Sequence, residues 1–211
     1  GSVQKNFNNT NWGLQFGVRF DTKGMTTDAK TKNYHMEMKT PEGGEIKGVL
    51  NDALLKEQGY LCCYCECRVV DSYHIDHFKP KGKFPKERFS YNNLHISCTT
   101  QGKKARCGHK KLEEFSNDLI SPLEEDCALH FSYTISGKIV GLDQRGEETI
   151  KICNLDSQAL TEMRKVLIDS FLFYDDNLRE EEIKKHLDSS KPQLGEFYTM
   201  IEYLYLKNII K

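Results

Sequence analysis

The run Cys62-Cys63-Tyr64-Cys65-Glu66-Cys67 packs four thiols into six residues, and Cys98 and Cys107 follow downstream. Two cysteines with two residues between them, as in Cys62 and Cys65, can offer both thiolates to one tetrahedral zinc ion from a single turn. Cys98 and Cys107, with eight residues between them, would supply the other two ligands. A rival first pair is Cys63 and Cys67, and buried reduced thiols without metal are the plainest alternative. Between the two pairs stand His74-Ile75-Asp76-His77 and Asn92-Asn93, and His109 comes just after Cys107. Fifteen residues separate His77 from Asn93, and fifteen separate Asn93 from His109. An aspartate beside a histidine joins a hard oxygen ligand, suited to Mg²⁺ or a similar ion, to an imidazole. With an unperturbed pKa of about 6.5, that imidazole can take a proton from water at neutral pH. A second imidazole, from His109, can complete a one-metal site that leaves positions open for phosphate oxygens.

The charge is segregated around these residues. The chain carries 30 basic and 31 acidic groups, a net of −1. Residues 77–111 hold ten basic groups against the single acid Glu87, and residues 112–211 hold eleven basic against twenty acidic groups. A charge run alone is most often a solvated face. This one coincides with the candidate chemistry, so Lys79, Lys81, Lys103 and Lys104 are candidate contacts to nucleic-acid phosphates, a kind of contact that carries no sequence code.

These side chains need elements to hold them. Ile46, Val49, Leu50, Ala53 and Leu54 recur at helical spacing over 45–58, with Gly59 as the stop. The thiol turn follows. Strands are expected at 68–76 and 94–98, a basic loop at 78–90, and a helix from about His109. Segments 130–135 and 138–142 flank Ser136-Gly137, a two-residue hairpin signal. Helices are expected at about 157–174, 178–187 and 194–210. The division that follows is an N-terminal arm at 1–44 of no assigned role, a metal-organised core at 45–143, and a helical region at 144–211 suited to partner docking. With 211 residues, 38% apolar, a packed core is within reach and a disordered chain is excluded. No apolar run approaches the roughly 18 residues of a membrane span, and no leader pattern is visible, which gives the expectation of a cytoplasmic chain.

In combination, Cys-x2-Cys, Asp-His-x2-Pro, Asn-Leu-x3-Cys and Cys-x-His-x-Lys over residues 60–111 resemble the HNH nuclease family in its ββα-metal form with a zinc knuckle. His-Ile-Asp-His-Phe-Lys-Pro-Lys, Tyr-Asn-Asn-Leu and Leu119-Ile-Ser-Pro-Leu resemble, more narrowly, the HNH subunit of two-gene Septu antiphage systems. Similar nucleases accompany some retrons. The resemblance implies an α+β fold: a small ββα-metal core with a structural zinc, preceded by a helix and followed by a β-hairpin and C-terminal helices. It implies that His77 is the general base, that Asp76 and His109 bind the catalytic divalent ion, and that Asn93 pins the loop that orients His77. Cys62, Cys65, Cys98 and Cys107 would hold the zinc. It also implies an ABC-type ATPase partner and a nucleic-acid target, DNA by default and RNA such as tRNA as the rival. In the family the second cysteine pair is often only a few residues apart, unlike here. Adjacent Asn92 and Asn93 leave the choice between them to the register of Leu94. His74 reads either as a third ligand or as an orienting group. A catalytically silent, zinc-stabilised nucleic-acid-binding subunit is the competing function.

Overall fold

Apolar residues at helical spacing build α1 (Pro41–Glu57), which buries Leu54 and Leu55. The computed structural model that carries this helix describes residues 41–69, 71–100 and 102–210, leaving aside the side chains of residues 41–46 and of Lys103. Of the N-terminal arm expected at 1–44, only the opening turn of α1 falls among the described residues. Gly59 ends the helix with φ +55°, and the Leu194 side chain fills the space a Cβ would take there, so glycine is required on both counts.

The thiol turn closes through Cys62 N–H to Cys67 O (2.9 Å) and an isolated bridge between Leu61 and Arg68. That bridge places Arg68 in the knuckle, which is why the strand expected from residue 68 begins only at Tyr73. Strand β1 (Tyr73–His77) pairs antiparallel with β2 (Leu94–Cys98), Asp76 opposite His95 and His77 opposite Leu94. All five residues of β2 are buried. Its other edge is closed by a side chain. Gln58 donates from Nε2 to the Ile96 and Leu61 carbonyls, 2.9 Å each, and accepts from Ile96 N–H at 2.7 Å. One turn of helix, α2 (Gly108–Lys111), then packs on the sheet.

A second, smaller sheet pairs β3 (Phe131–Tyr133) with β4 (Ile139–Gly141) around Ser136-Gly137. Helix α3 (Gln144–Cys153) follows, capped by Asp143, which accepts from Gly146 N–H at 2.8 Å. Within the helical region expected at 144–211, the individually expected helices begin only at about 157; Gly146 and the β-branched Thr149, Ile150 and Ile152 lower helix propensity here. Packing overrides propensity: a Cβ on Gly146 would strike the His130 carbonyl and the Gly141 backbone, so glycine lets the helix lie close on the hairpin.

The remaining helices are α4 (Gln158–Leu172), α5 (Asp176–His186) and α6 (Tyr198–Leu206). The expected start of the last helix at 194 moves to Tyr198, because Phe197 takes φ 50° and the Glu66 carboxylate meets the new N-terminus. Glu66 accepts from Thr199 N–H (3.1 Å) and Thr199 Oγ1 (2.9 Å). Arg68 adds bonds from its guanidinium to the Gly59 and Leu194 carbonyls, and its N–H donates to Glu196. Met200, Ile201 and Leu204 are fully buried. The chain's last helix is thus seated on the thiol turn.

The Gln58 bonds generate a test. Gln58→Leu keeps the volume and leaves the buried Ile96 N–H and Leu61 carbonyl unpaired, so it should lower the unfolding free energy by about 3 kcal/mol in urea titration. A loss below about 0.5 kcal/mol would mean that Gln58 does not act as a strand surrogate.

Candidate active site and metal centre

Cys62 and Cys65 come from the turn, Cys98 from the end of β2, and Cys107 from the residue before α2. All four are buried and their sulfurs lie within 4.8 Å of one another. Cys63 and Cys67, the rival pair, are not part of this group. The Cys65 and Cys98 sulfurs are 3.8 Å apart. That separation matches the edge of a sulfur tetrahedron around zinc, roughly 3.8 Å for bonds of about 2.3 Å. The eight-residue spacing of the second pair poses no obstacle, since the intervening loop folds back to bring Cys107 to the end of β2. The hydrogen bonds the four thiols share draw Cys62 and Cys65 down and, with burial, push Cys98 and Cys107 up. The donor set and its geometry therefore fit a zinc ion.

On the adjoining sheet, Asp76 is buried. Its Oδ2 accepts from Tyr64 Oη at 2.7 Å and lies 3.3 Å from Lys111 Nζ. Burial raises the Asp76 carboxyl, and the Lys111 charge opposes that rise. Next to it, His77 Nε2 is 3.0 Å from the Arg88 carbonyl. A bond to a carbonyl requires the proton on Nε2, which leaves the lone pair on Nδ1. Burial holds His77 below its ordinary value, so the neutral imidazole dominates at pH 7.

Asn93 is buried and Asn92 exposed. The Asn93 amide donates to the Lys79 and Glu87 carbonyls, 3.0 Å each, and its oxygen accepts from Lys79 N–H at 2.7 Å. These bonds tie both ends of the 79–87 loop, one residue short of the Arg88 carbonyl that His77 meets. His109 Nδ1 is 2.8 Å from the Thr100 carbonyl, and its ring stacks on His74 with centroids 4.1 Å apart. His95 is buried opposite Asp76, and burial lowers it to about 4. Among the described residues, the only groups of three or more donors drawn within 4.8 Å are the four thiols and Glu124, Asp126 and His130. Asp76 and His109 belong to neither group.

No family model matches the chain. A candidate HNH endonuclease of retron Vc95 from Vibrio cholerae serotype O1 biovar El Tor is 32% identical over 140 residues, which span 61% of this chain and 67% of that protein. The chain belongs to the HNH endonuclease family. A Septu protein PtuB of Bacillus thuringiensis is 31% identical over 111 residues, 49% of this chain and 40% of that one. A Septu protein PtuB of Bacillus mycoides is 27% identical over 166 residues, 64% of this chain and 56% of its own length. The chain thus spans about half the length of these two Septu proteins.

The basic block of this HNH chain divides on folding. Lys79 and Lys81 are half-exposed and Lys104 is exposed, while the Lys103 side chain lies outside the described residues. Lys111, counted in the sequence among the surface cations, is fully buried. Its Nζ donates to the His77 carbonyl (2.9 Å) and the Phe78 carbonyl (3.3 Å) as well as facing Asp76. Sequence reasoning missed Tyr64 and Lys111 as neighbours of the aspartate. For Tyr64 no signal existed. For Lys111 the hint was its place on the inner side of α2, two residues after His109.

Removing one member of a buried charge pair strands the other. Lys111→Ala should cost about 3–5 kcal/mol in chemical denaturation. The exposed neighbour Lys110→Ala should stay within about 0.5 kcal/mol. Equal effects at the two positions would contradict the inward role of Lys111.

Proposed function

We propose that this chain is a metal-dependent endonuclease that hydrolyses nucleic-acid phosphodiester bonds as the effector of an antiphage defence complex. The observation that carries the reading is His77, whose Nε2 is committed to the Arg88 carbonyl beside the buried Asp76. The kinship with a retron nuclease and with Septu PtuB proteins supplies the defence setting. The succession of β1, β2 and α2 beside four thiols supports the ββα-metal arrangement, with zinc on Cys62, Cys65, Cys98 and Cys107 as a structural ion.

In this mechanism His77 Nδ1 accepts a proton from a water lined up with the scissile phosphate. Asn93 acts on that step from a distance: it fixes the 79–87 loop, which sets the Arg88 carbonyl and so the ring of His77. Asp76 and His109 would hold a divalent ion such as Mg²⁺. When bound, that ion supplies Lewis-acid polarisation of the phosphate and charge for the leaving oxygen. Lys79, Lys81, Lys103 and Lys104 would meet flanking phosphates, an affinity that falls as salt rises. The donors suit either backbone; DNA is the target favoured by kinship, and RNA is the rival.

An ABC-type ATPase subunit, PtuA-like, is the proposed partner. The outer face of α4 and the turn after it is the proposed docking surface, because Met163, Val166 and Phe173 stand exposed there while α6 is taken up by the core. Among the described residues no helix is long and apolar enough to cross a membrane.

The reading is tested by His77→Ala, assayed on plasmid and on total RNA with Mg²⁺ or Mn²⁺ in the presence of the ATPase partner. Loss of a general base should lower cleavage by about 10²–10⁴-fold with the fold intact. Equal cleavage by both proteins would favour the silent nucleic-acid-binding subunit instead.

A further inference from the structure

Ser97 stands in β2 directly before Cys98 and is fully buried. It lies opposite His74 in register, on the face of the sheet that carries Asp76. Its Oγ accepts from Gly108 N–H at 3.0 Å and lies 3.8 Å from Cys62 Sγ, a reach that the larger sulfur atom allows. These are its side-chain hydrogen bonds among the described residues. Gly108 opens α2 and is pressed against β1: a methyl group there would lie 2.8 Å from His74 Nε2 and 2.9 Å from Asp76 Cγ. Ser97 therefore holds α2 by its backbone at the point where that helix meets the strand of Asp76 and His77.

Counting protons gives the direction of the sulfur contact. Without metal, the Cys62 thiol can donate to Ser97 Oγ. A Cys62 that ligates zinc is a thiolate with no proton to give. The Ser97 oxygen already accepts from Gly108, and among the described residues its own proton has Cys62 Sγ as its acceptor. The contact then persists with Ser97 as the donor. We propose that Ser97 is a positioning residue of the zinc centre, donating its hydroxyl proton to the zinc-bound Cys62 sulfur while it holds Gly108 N–H. The inference rests on the reading of the four thiols as a zinc site and adds an outer hydrogen bond to it. Bonds of this kind orient a ligand, and their removal typically costs about 10–100-fold in metal affinity. Here the same hydroxyl also links the thiol turn to α2, the helix that carries His109 and the buried Lys111.

The test uses the full chain with Co²⁺ in place of zinc, read by the sulfur-to-cobalt charge-transfer band, alongside zinc competition against a chromophoric chelator. A hydroxyl bonded to sulfur stabilises its lone-pair electrons, so Ser97→Ala should move the band to longer wavelength. The same variant should hold zinc at least about 10-fold more weakly. If Ser97→Ala does not fold, the shape-matched pair Ser97→Thr and Ser97→Val decides: the threonine should keep the wild-type band and the valine should shift it. A weaker zinc site with an unmoved band would overturn the proposal, leaving Ser97 as an anchor of α2 alone. A Ser97→Ala protein that matches wild type in both readouts would overturn it too, with the zinc reading intact. Wild type that binds neither cobalt nor zinc would overturn the zinc reading and the role of Ser97 with it.

Discussion

Four buried thiols held within 4.8 Å of one another are the constraint on which the rest of the molecule depends. They come from three places in the chain, and no disulfide joins them. Bringing them together fixes the turn after α1 against the end of β2 and the start of α2. Each neighbouring element is then located by short bonds to that frame. Cys63 N–H reaches Ile96 of β2, Cys107 N–H reaches the Cys153 carbonyl at the end of α3, and Glu66 in the turn meets the N-terminus of α6. A two-stranded sheet and a single helical turn have too little apolar surface to hold a catalytic geometry alone. A metal ion held by the four thiols would make up that deficit, since binding of the ion is itself folding free energy.

The second organising contact is electrostatic. Asp76 is placed in the interior with Lys111, a lysine wholly out of solvent that also ties the His77 and Phe78 carbonyls. One side chain of α2 therefore sets both the carboxylate and the backbone of the candidate base. The same pairing leaves one carboxylate oxygen turned toward Gly108 and His74. Burial keeps His77 and His74 below their ordinary values, His74 down to about 4, so both rings are neutral at pH 7.

Much of this was legible from residue types at fixed spacing. The pair Cys62 and Cys65, the adjacent Asp76 and His77, and the Ser136-Gly137 hairpin are local patterns, and local patterns survive translation into sequence reasoning. The hidden parts depend on what packs against a residue. Lys111 reads as one more cation in a basic block until α2 turns it inward. Gln58 reads as a polar helix end, yet it completes the edge of β2. Gly146 argues against a helix by propensity, and only the closeness of the hairpin explains why α3 forms around it. The boundary of the last helix moved for a similar reason, because a distant carboxylate, Glu66, decides where it begins. Within 144–211, α6 and its approach are bonded directly to the thiol turn.

The account stands on the thiol node being a metal site, and X-ray absorption at the zinc edge on purified protein tests that most directly, together with elemental analysis. One zinc per chain with four sulfur neighbours at about 2.3 Å is the predicted result. Protein that is folded yet free of zinc, or a first coordination sphere containing nitrogen or oxygen in place of any of the four sulfurs, would contradict it.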